Sequence, residues 1–333
     1  MSLRFSVVIP TFNRKESLVR CLQSLSSQTI PPDEFEVIVV DDGSTDGTNT
    51  TIESHGWPFA MTVLREQNSG PSAARNLGVG KARGEVIAFT EDDVEVRPDW
   101  LKSAAPYFAD ARVVLVEGRT VYSHTDVGVR RFEAGERHSF IPCNLFVRKE
   151  TFTALGGYDP AFYEAKTGLY FREDADLGFR IMETGAATRL APDVVVEHPR
   201  QFGTLAACFR HVRRYMFDPL LYRKHPLRFR QMIEVKNVLG FRIHRPQHYL
   251  ALAYVVLAMA LIAGLITGSD SISLLLFGAV FVSSMLFRYK YQGRGALRLY
   301  RLGETLAFFV LPLVYVGSFL KGCVRFKSFG LVL

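Results

Sequence analysis

Along the first 120 residues, short runs of β-branched and aromatic side chains alternate with stretches in which apolar residues recur every three or four positions. The runs at 5–9 (FSVVI), 36–40 (EVIVV), 61–64, 85–89 (EVIAF) and 113–117 (VVLVE) are short and almost uniformly apolar, as strands covered on both faces must be. Between them, 15–25, 45–54 and 72–82 carry helical spacing, the last opened by Gly70-Pro71. The alternation predicts an α/β fold built on a doubly wound, mostly parallel sheet. In such sheets ligands bind beyond the carboxyl ends of the strands.

The pattern changes in the last third of the chain. Residues 249–267 form a run of 19 without a charge, followed by uncharged runs at 271–287 and 305–320. As a helix the first would be about 28 Å long, close to the thickness of a hydrocarbon core. Three such runs with Lys/Arg-rich flanks predict a C-terminal α-helical membrane region rather than buried core helices. Two spans are expected, with a third segment, 305–320, that either spans or bends at Pro312 into a re-entrant hairpin. The segment before the first run is basic (Arg223, Lys224, Arg228, Arg230, Lys236, Arg242, Arg245), and so is the segment after the second (Arg288, Lys290, Arg294, Arg298, Arg301). The link 268–270 between those runs carries Asp270 and no positive charge. The positive-inside rule then places both basic segments in the cytoplasm. With no signal peptide ahead of Arg4, a multi-pass cell-membrane protein with a cytoplasmic first part is expected.

Charge supports this division. The chain of 333 residues has a formal charge of +7, yet residues 1–199 hold 21 basic and 29 acidic side chains, whereas residues 200–333 hold 19 and 4. An acidic first part joined to a basic, apolar second part suits an anionic membrane surface and argues against nucleic-acid binding. The four cysteines, Cys21, Cys143, Cys208 and Cys323, have neither zinc-site spacing nor a disulfide framework.

Candidate chemistry stands at the strand ends. Strand one ends in Pro10-Thr11-Phe12-Asn13, strand two in Asp41-Asp42-Gly43-Ser44-Thr45-Asp46, and strand four in Thr90-Glu91-Asp92-Asp93. No Gly-x-Gly-x-x-Gly follows strand one and there is no Walker lysine, which disfavours a dinucleotide site or a P-loop. Clustered carboxylates repel unless a cation or a firm hydrogen-bond network offsets them. Oxygen ligands with open positions suit Mg²⁺ or Mn²⁺ shared with a phosphate.

Five segments, VVIPTFNR (7–14), VVDDGSTDGT (39–48), NSGPSAARNLG (68–78), FTEDD (89–93) and EDADLGFR (173–180), resemble in content and order a family 2 glycosyltransferase of GT-A fold. The resemblance covers roughly residues 3–215. It implies that Pro10, Thr11 and Asp42 hold the nucleotide base of a nucleotide-sugar donor and that Arg75 lies near the diphosphate. The acidic motif is usually Asp-x-Asp; here Glu91 replaces its first member, so Asp93 is the better metal ligand, with Glu91 and Asp92 toward the nucleotide sugar. The resemblance further implies Asp174 as general base with Glu173 orienting it, His198 as a metal ligand, and Asn144, Tyr158 and Arg214 on the acceptor side. Residues 210–215 stand where processive members carry Gln-x-x-Arg-Trp. The Gln and Trp are missing, which argues against a polymer-extruding synthase.

The reading is therefore a GT-A domain over 1–215, a basic interfacial linker over 216–247 and a membrane region over 248–333. Such a chain is expected to transfer one sugar, with inversion and metal dependence, from a nucleotide sugar to a hydroxyl on a lipid-linked or membrane-proximal acceptor. Two alternatives stand beside it: a polyprenyl-phosphate sugar synthase, and an inactive membrane scaffold of the same fold.

Overall fold

A strand whose side chains are apolar on both faces needs helices above and below it, and the first half of the chain supplies them. In the computed structural model, which describes residues 4–122, 138–198, 204–233, 235–238, 241–268, 270–292 and 302–330, two units separate: Met1–His124 with Arg131–Arg200, and Thr125–Arg130 with Gln201–Leu333.

The first unit runs β1 (Phe5–Thr11), α1 (Lys15–Leu25), β2 (Phe35–Asp41), α2 (Thr48–Glu53), β3 (Ala60–Arg65), α3 (Pro71–Lys81), β4 (Val86–Phe89), β5 (Glu95–Val96), α4 (Trp100–Ala104), β6 (Val113–Tyr122), β7 (Leu145–Arg148), α5 (Lys149–Ala154), β8 (Tyr163–Glu164), β9 (Leu169–Tyr170), α6 (Glu173–Glu183) and β10 (Ala187–His198). Eight strands form one sheet in the order β3-β2-β1-β4-β7-β6-β10-β5. The half β3-β2-β1-β4 is parallel, β7 is antiparallel to both β4 and β6, β10 is parallel to β6, and β5 is antiparallel to β10. This is a large mixed sheet with a parallel half, as the GT-A expectation requires. The chain leaves β1 toward β2 and returns on its other side as β4, so the crevice between those ends is the topological switch point. The core on one face of the sheet gathers Phe5, Val7, Ile9, Val37, Val39, Trp100 and Phe146, all buried.

Two local features depart from the sequence pattern. The helix expected from residue 45 begins at Thr48, because Asp41 accepts the Ser44 N–H and Asp46 the Thr48 N–H, which consumes 41–47 in a turn. In β10 the register against β6 jumps from Ala191↔Gly118 to Val195↔Arg119, leaving 192–194 as a bulge. Asn144 clamps it, donating Nδ2 to the carbonyls of Val194 (3.0 Å) and Arg119 (3.1 Å) and accepting from Trp100 Nε1 (2.8 Å). Gly118 leaves room for this: a Cβ there would sit 2.3 Å from Asn144 Nδ2.

The second unit comprises α7 (Leu205–Arg213), α8 (Asp218–Lys224), α9 (Pro226–Met232), the hairpin β11 (Val235–Val238) and β12 (Phe241–His244), and three long helices, α10 (Pro246–Thr267), α11 (Asp270–Gln292) and α12 (Leu302–Arg325). The hairpin lies within 216–247, the span expected as a basic interfacial linker. By length and composition, His248–Thr267 and Ala307–Arg325 could cross a membrane, and Ser273–Ser284 is a shorter apolar stretch. Pro312 lies inside α12 without turning it back, so the run 305–320 is one helix and not a hairpin in itself. Large apolar side chains stand exposed along α10 and α11, among them Val256, Met259, Ile262 and Ile266, and Leu274, Leu275 and Val282. Such a surface is consistent with membrane association. Arg294, Arg298 and Arg301 lie outside the described residues.

Candidate active site

Three carboxyl ends meet in the first unit: β1, β4 and, from the far half of the sheet, β10. Glu91, Asp93 and His198 each offer a ligand atom within 4.8 Å of the other two. His198 Nε2 lies 3.5 Å from Asp93 Oδ1. Asp93 is buried, while Glu91 and His198 are half-buried. Two carboxylates and one imidazole, partly open to solvent, are a donor set that fits Mn²⁺ or Mg²⁺. The order of trust between Glu91 and Asp93 drawn from the sequence has no counterpart in the geometry, which brings both to the same point.

Asp92 turns the other way. Its Oδ2 accepts from Thr11 Oγ1 (2.8 Å) and its Oδ1 from Arg14 Nη1 (3.1 Å), while the same nitrogen donates to Asp93 Oδ2 (2.7 Å). Burial pushes the Asp92 carboxyl up to about 6, against the opposing pull of Arg14 and Thr11. Asp92 and the Thr11 hydroxyl thus bond each other beside the point where Glu91, Asp93 and His198 meet. Arg14, to which the sequence reading gave no role, locks the acidic turn by spanning both aspartates. A cation three residues past a strand end, opposite two carboxylates, was the available signal.

Arg75, on α3, is 2% exposed. Its Nη2 donates to Glu91 Oε1 (3.2 Å), its Nη1 lies 3.9 Å from Glu173 Oε1, and the guanidinium sits 5.6 Å from the centre of the Tyr158 ring. Burial would lower its pKa, but Tyr158, Glu91 and Glu173 more than offset this and hold it charged. One buried cation therefore ties the Glu91–Asp93–His198 cluster to the start of α6. There Asp174 lies in the first turn, its Oδ1 accepting the Ala175 N–H at 2.7 Å. A negative charge is favoured at a helix amino end by the unpaired N–H groups and the helix dipole.

At the end of β2, Asp42 accepts the N–H groups of Ser69 (2.6 Å) and Gly70 (2.9 Å) ahead of α3. Burial raises its pKa, with those two bonds opposing. Pro10 is half-buried on β1, across the parallel register from Val40.

Two expected acceptor-side residues are corrected. Asn144 is 1% exposed and its amide is consumed by the β10 bulge, so it shapes the strand leading to His198 instead of meeting an acceptor. Tyr158 is fully buried between Phe89, Phe152 and Arg75, a supporting floor beyond a ligand's reach. Arg214 belongs to the second unit, where its Nη2 lies 2.8 Å from His211 Nδ1. The sequence reading also missed Glu117, which is buried at the β6 level and accepts the N–H groups of Ser139 and Phe140, fixing the approach to Asn144.

This geometry can be set beside known proteins. The glycosyltransferase AglE of Haloferax volcanii is 27% identical over 261 residues, 74% of this chain and 83% of that protein. The pre-mycofactocin glycosyltransferase of Mycobacterium tuberculosis is 33% identical over 215 residues, 58% of this chain but 42% of that longer protein. Among solved structures, the mannosyltransferase PcManGT of Pyrobaculum calidifontis, in complex with GDP-Man and Mn²⁺, superposes with a TM-score of 0.57 at 20% identity, over 95% of this chain and 87% of that one. That likeness carries the fold. The family model for glycosyl transferase family 2 matches residues 6–176, from β1 into α6 and so through most of the acidic cluster, and the chain belongs to that family, with a GT-A fold.

Proposed function

We propose that the protein moves a single sugar from a nucleoside-diphosphate sugar to a hydroxyl of a lipid-linked or membrane-proximal acceptor, with inversion at the anomeric carbon. The observation that carries this reading is the meeting of Glu91, Asp93 and His198, joined through buried Arg75 to the helix that bears Asp174. Glu91, Asp93 and His198 would hold Mg²⁺ or Mn²⁺, which supplies charge neutralisation to a departing diphosphate. The single imidazole favours Mn²⁺ over Mg²⁺.

The chain's own residues do the remainder. Asp42 offers carboxylate oxygens to an N–H of the base. Asp174 takes the proton from the acceptor hydroxyl as its oxygen bonds to the anomeric carbon, and the bond from that carbon to the diphosphate oxygen breaks on the opposite face. Attack and departure on opposite faces give inversion. The carboxylate of Glu173, shared with Arg75, sets the first turn of α6 and so the position of Asp174. The basic, apolar second unit would hold the catalytic unit at a membrane as a multi-pass protein, with the first unit in the cytoplasm, as the positive flanks favour.

The test is transfer from a panel of UDP- and GDP-sugars to membrane extract with Mn²⁺ or Mg²⁺. Asp174→Asn should lower transfer by about 10²–10⁴-fold, the range of general-base catalysis, and leave donor binding unchanged. A loss of only a few-fold would favour an acceptor already ionised, such as a polyprenyl phosphate. No transfer or donor hydrolysis under any condition would favour a scaffold.

A further inference from the structure

If α12 followed α11 across a bilayer as a simple third span, it would deliver Lys321, Arg325 and Lys327 to the face opposite the other basic segments, against the positive-inside rule. The packing of the second unit resolves this conflict. The α10 and α11 helices form an antiparallel pair; a Cβ on Gly264 would lie 2.8 Å from Ser273 Oγ. The α12 helix is also antiparallel to α10: Tyr254 Oη donates to the Phe309 carbonyl (2.6 Å), while His248, one turn and a half earlier, faces Tyr315 and Phe319, with ring centres 6.0 and 4.6 Å away. The α11 and α12 helices therefore point the same way, and both end where α10 begins.

At that end the carboxyl half of α12 is clasped by the short helices. Tyr315 packs on Tyr215 at 4.6 Å, and Gly322 lies so close to Met216 that a Cβ would strike its carbonyl oxygen. Arg223 Nη1 donates to the Phe326 carbonyl (2.9 Å). Arg245 is buried between the rings of Phe229 and Phe319 (5.6 and 4.9 Å), with Nη2 3.4 Å from buried Asp218, so one side chain joins α8, α9, α10 and α12. Outside this clasp stand Lys321, Arg325 and Lys327, together with exposed Leu227, Tyr249 and Phe329. Cations interleaved with exposed apolar and aromatic side chains, at the base of helices that expose large apolar side chains, match the headgroup layer of a bilayer.

We infer that this end of the second unit is a collar seated in the phosphate-bearing headgroup layer, and that α12 returns its carboxyl end to the side it shares with α7–α9 instead of crossing to the other. Residues 321–330 then lie in the same compartment as Leu227, and Ser271 lies in the opposite one. The inference rests on the membrane association proposed above.

Its test is labelling of the full chain in sealed vesicles of phosphatidylethanolamine and phosphatidylglycerol with a membrane-impermeant maleimide. The four native cysteines are buried, so the unmodified chain serves as the blank. Single reporters Leu227→Cys, Phe329→Cys and Ser271→Cys replace exposed side chains and leave the clasp intact. Phe329→Cys should label to the same fraction as Leu227→Cys, and Ser271→Cys to the complementary fraction. Phe329→Cys tracking Ser271→Cys would overturn the inference, and Arg325→Cys, in the last turn of α12, must give the same answer. Full labelling of all three without detergent would instead overturn the membrane association on which it rests.

Discussion

Two acidic turns stand at the ends of β2 and β4, the parallel strands on either side of β1, and they have different fates. After β2, Asp41 accepts from Ser44 N–H and Asn49 Nδ2, Asp46 from the N–H groups of Lys15 and Thr48, and Asp42 from Ser69 and Gly70. Its carboxylates accept mainly from backbone donors, and Asp42, with one N–H on each oxygen in these bonds, keeps lone pairs for a further donor. After β4, Asp92 accepts from the side chains of Thr11 and Arg14, while Glu91 and Asp93, each also held by an arginine, converge with His198. The difference teaches that an acidic cluster is a scaffold where the chain folds backbone donors against it, and a candidate cation site where another strand brings a further ligand.

Four substitutions sharpen that contrast, beginning with the largest expected effect. Asp93→Asn should reduce transfer by about 10²–10³-fold, as loss of a charge-stabilising ligand does, with little change in melting temperature. It should also remove any thermal stabilisation of the native chain by Mn²⁺. A melting temperature that collapses with the activity would make the β4 turn a scaffold too. Arg75→Met leaves buried Glu173 facing Glu91 without its cation, and chemical denaturation should report a loss of about 3–5 kcal/mol. A near-neutral result would mean that Glu91 and Glu173 need no cation between them. Asp46→Ala should cost about 0.5–1 kcal/mol, because its half-exposed side chain bonds two N–H groups that water can partly satisfy, and transfer should be retained. A larger loss of activity than of stability would move the β2 turn into the reaction.

The fourth concerns pH. Glu36 is buried, yet bonds from Ser6 and from the Arg83 backbone and guanidinium outweigh desolvation and hold its carboxyl below the usual range. A folded pKa below the unfolded value gives stability that is present above the unfolded value near 4.5 and lost as pH falls through the folded one. Glu36→Gln should therefore destabilise at pH 7 by about 1–2 kcal/mol, and the gap to the native chain should narrow below pH 4. A gap independent of pH would show that packing, and not the charge, is what Glu36 contributes.

How far the site was legible can be judged residue by residue. The acidic turn that holds Asp93 could be singled out because it ends a strand whose location follows from hydrophobic period, whereas His198 and Asp174 were reached through the family resemblance. Asn144 and Tyr158 were found as residues but given the wrong task, since burial depends on what packs over them, and that comes from β10 and α3. Arg14 went unnoticed because a lone arginine after a strand acquires meaning only when Asp92 and Asp93 face it. The antiparallel β7 was likewise out of reach, because LFVR reads alike in either direction.

What the amino-acid order determined by itself was local: which runs are strands, which are helices long enough for a bilayer, and where charge accumulates. Each follows from side-chain chemistry repeated at a fixed period, which neighbours in the chain already express. Tertiary structure alone decided which carboxylates meet an imidazole from β10, which are consumed by backbone donors, and that α12 runs antiparallel to α10. Those outcomes depend on register and crossing between segments far apart in the chain, where the energy lies in contacts that no single segment contains.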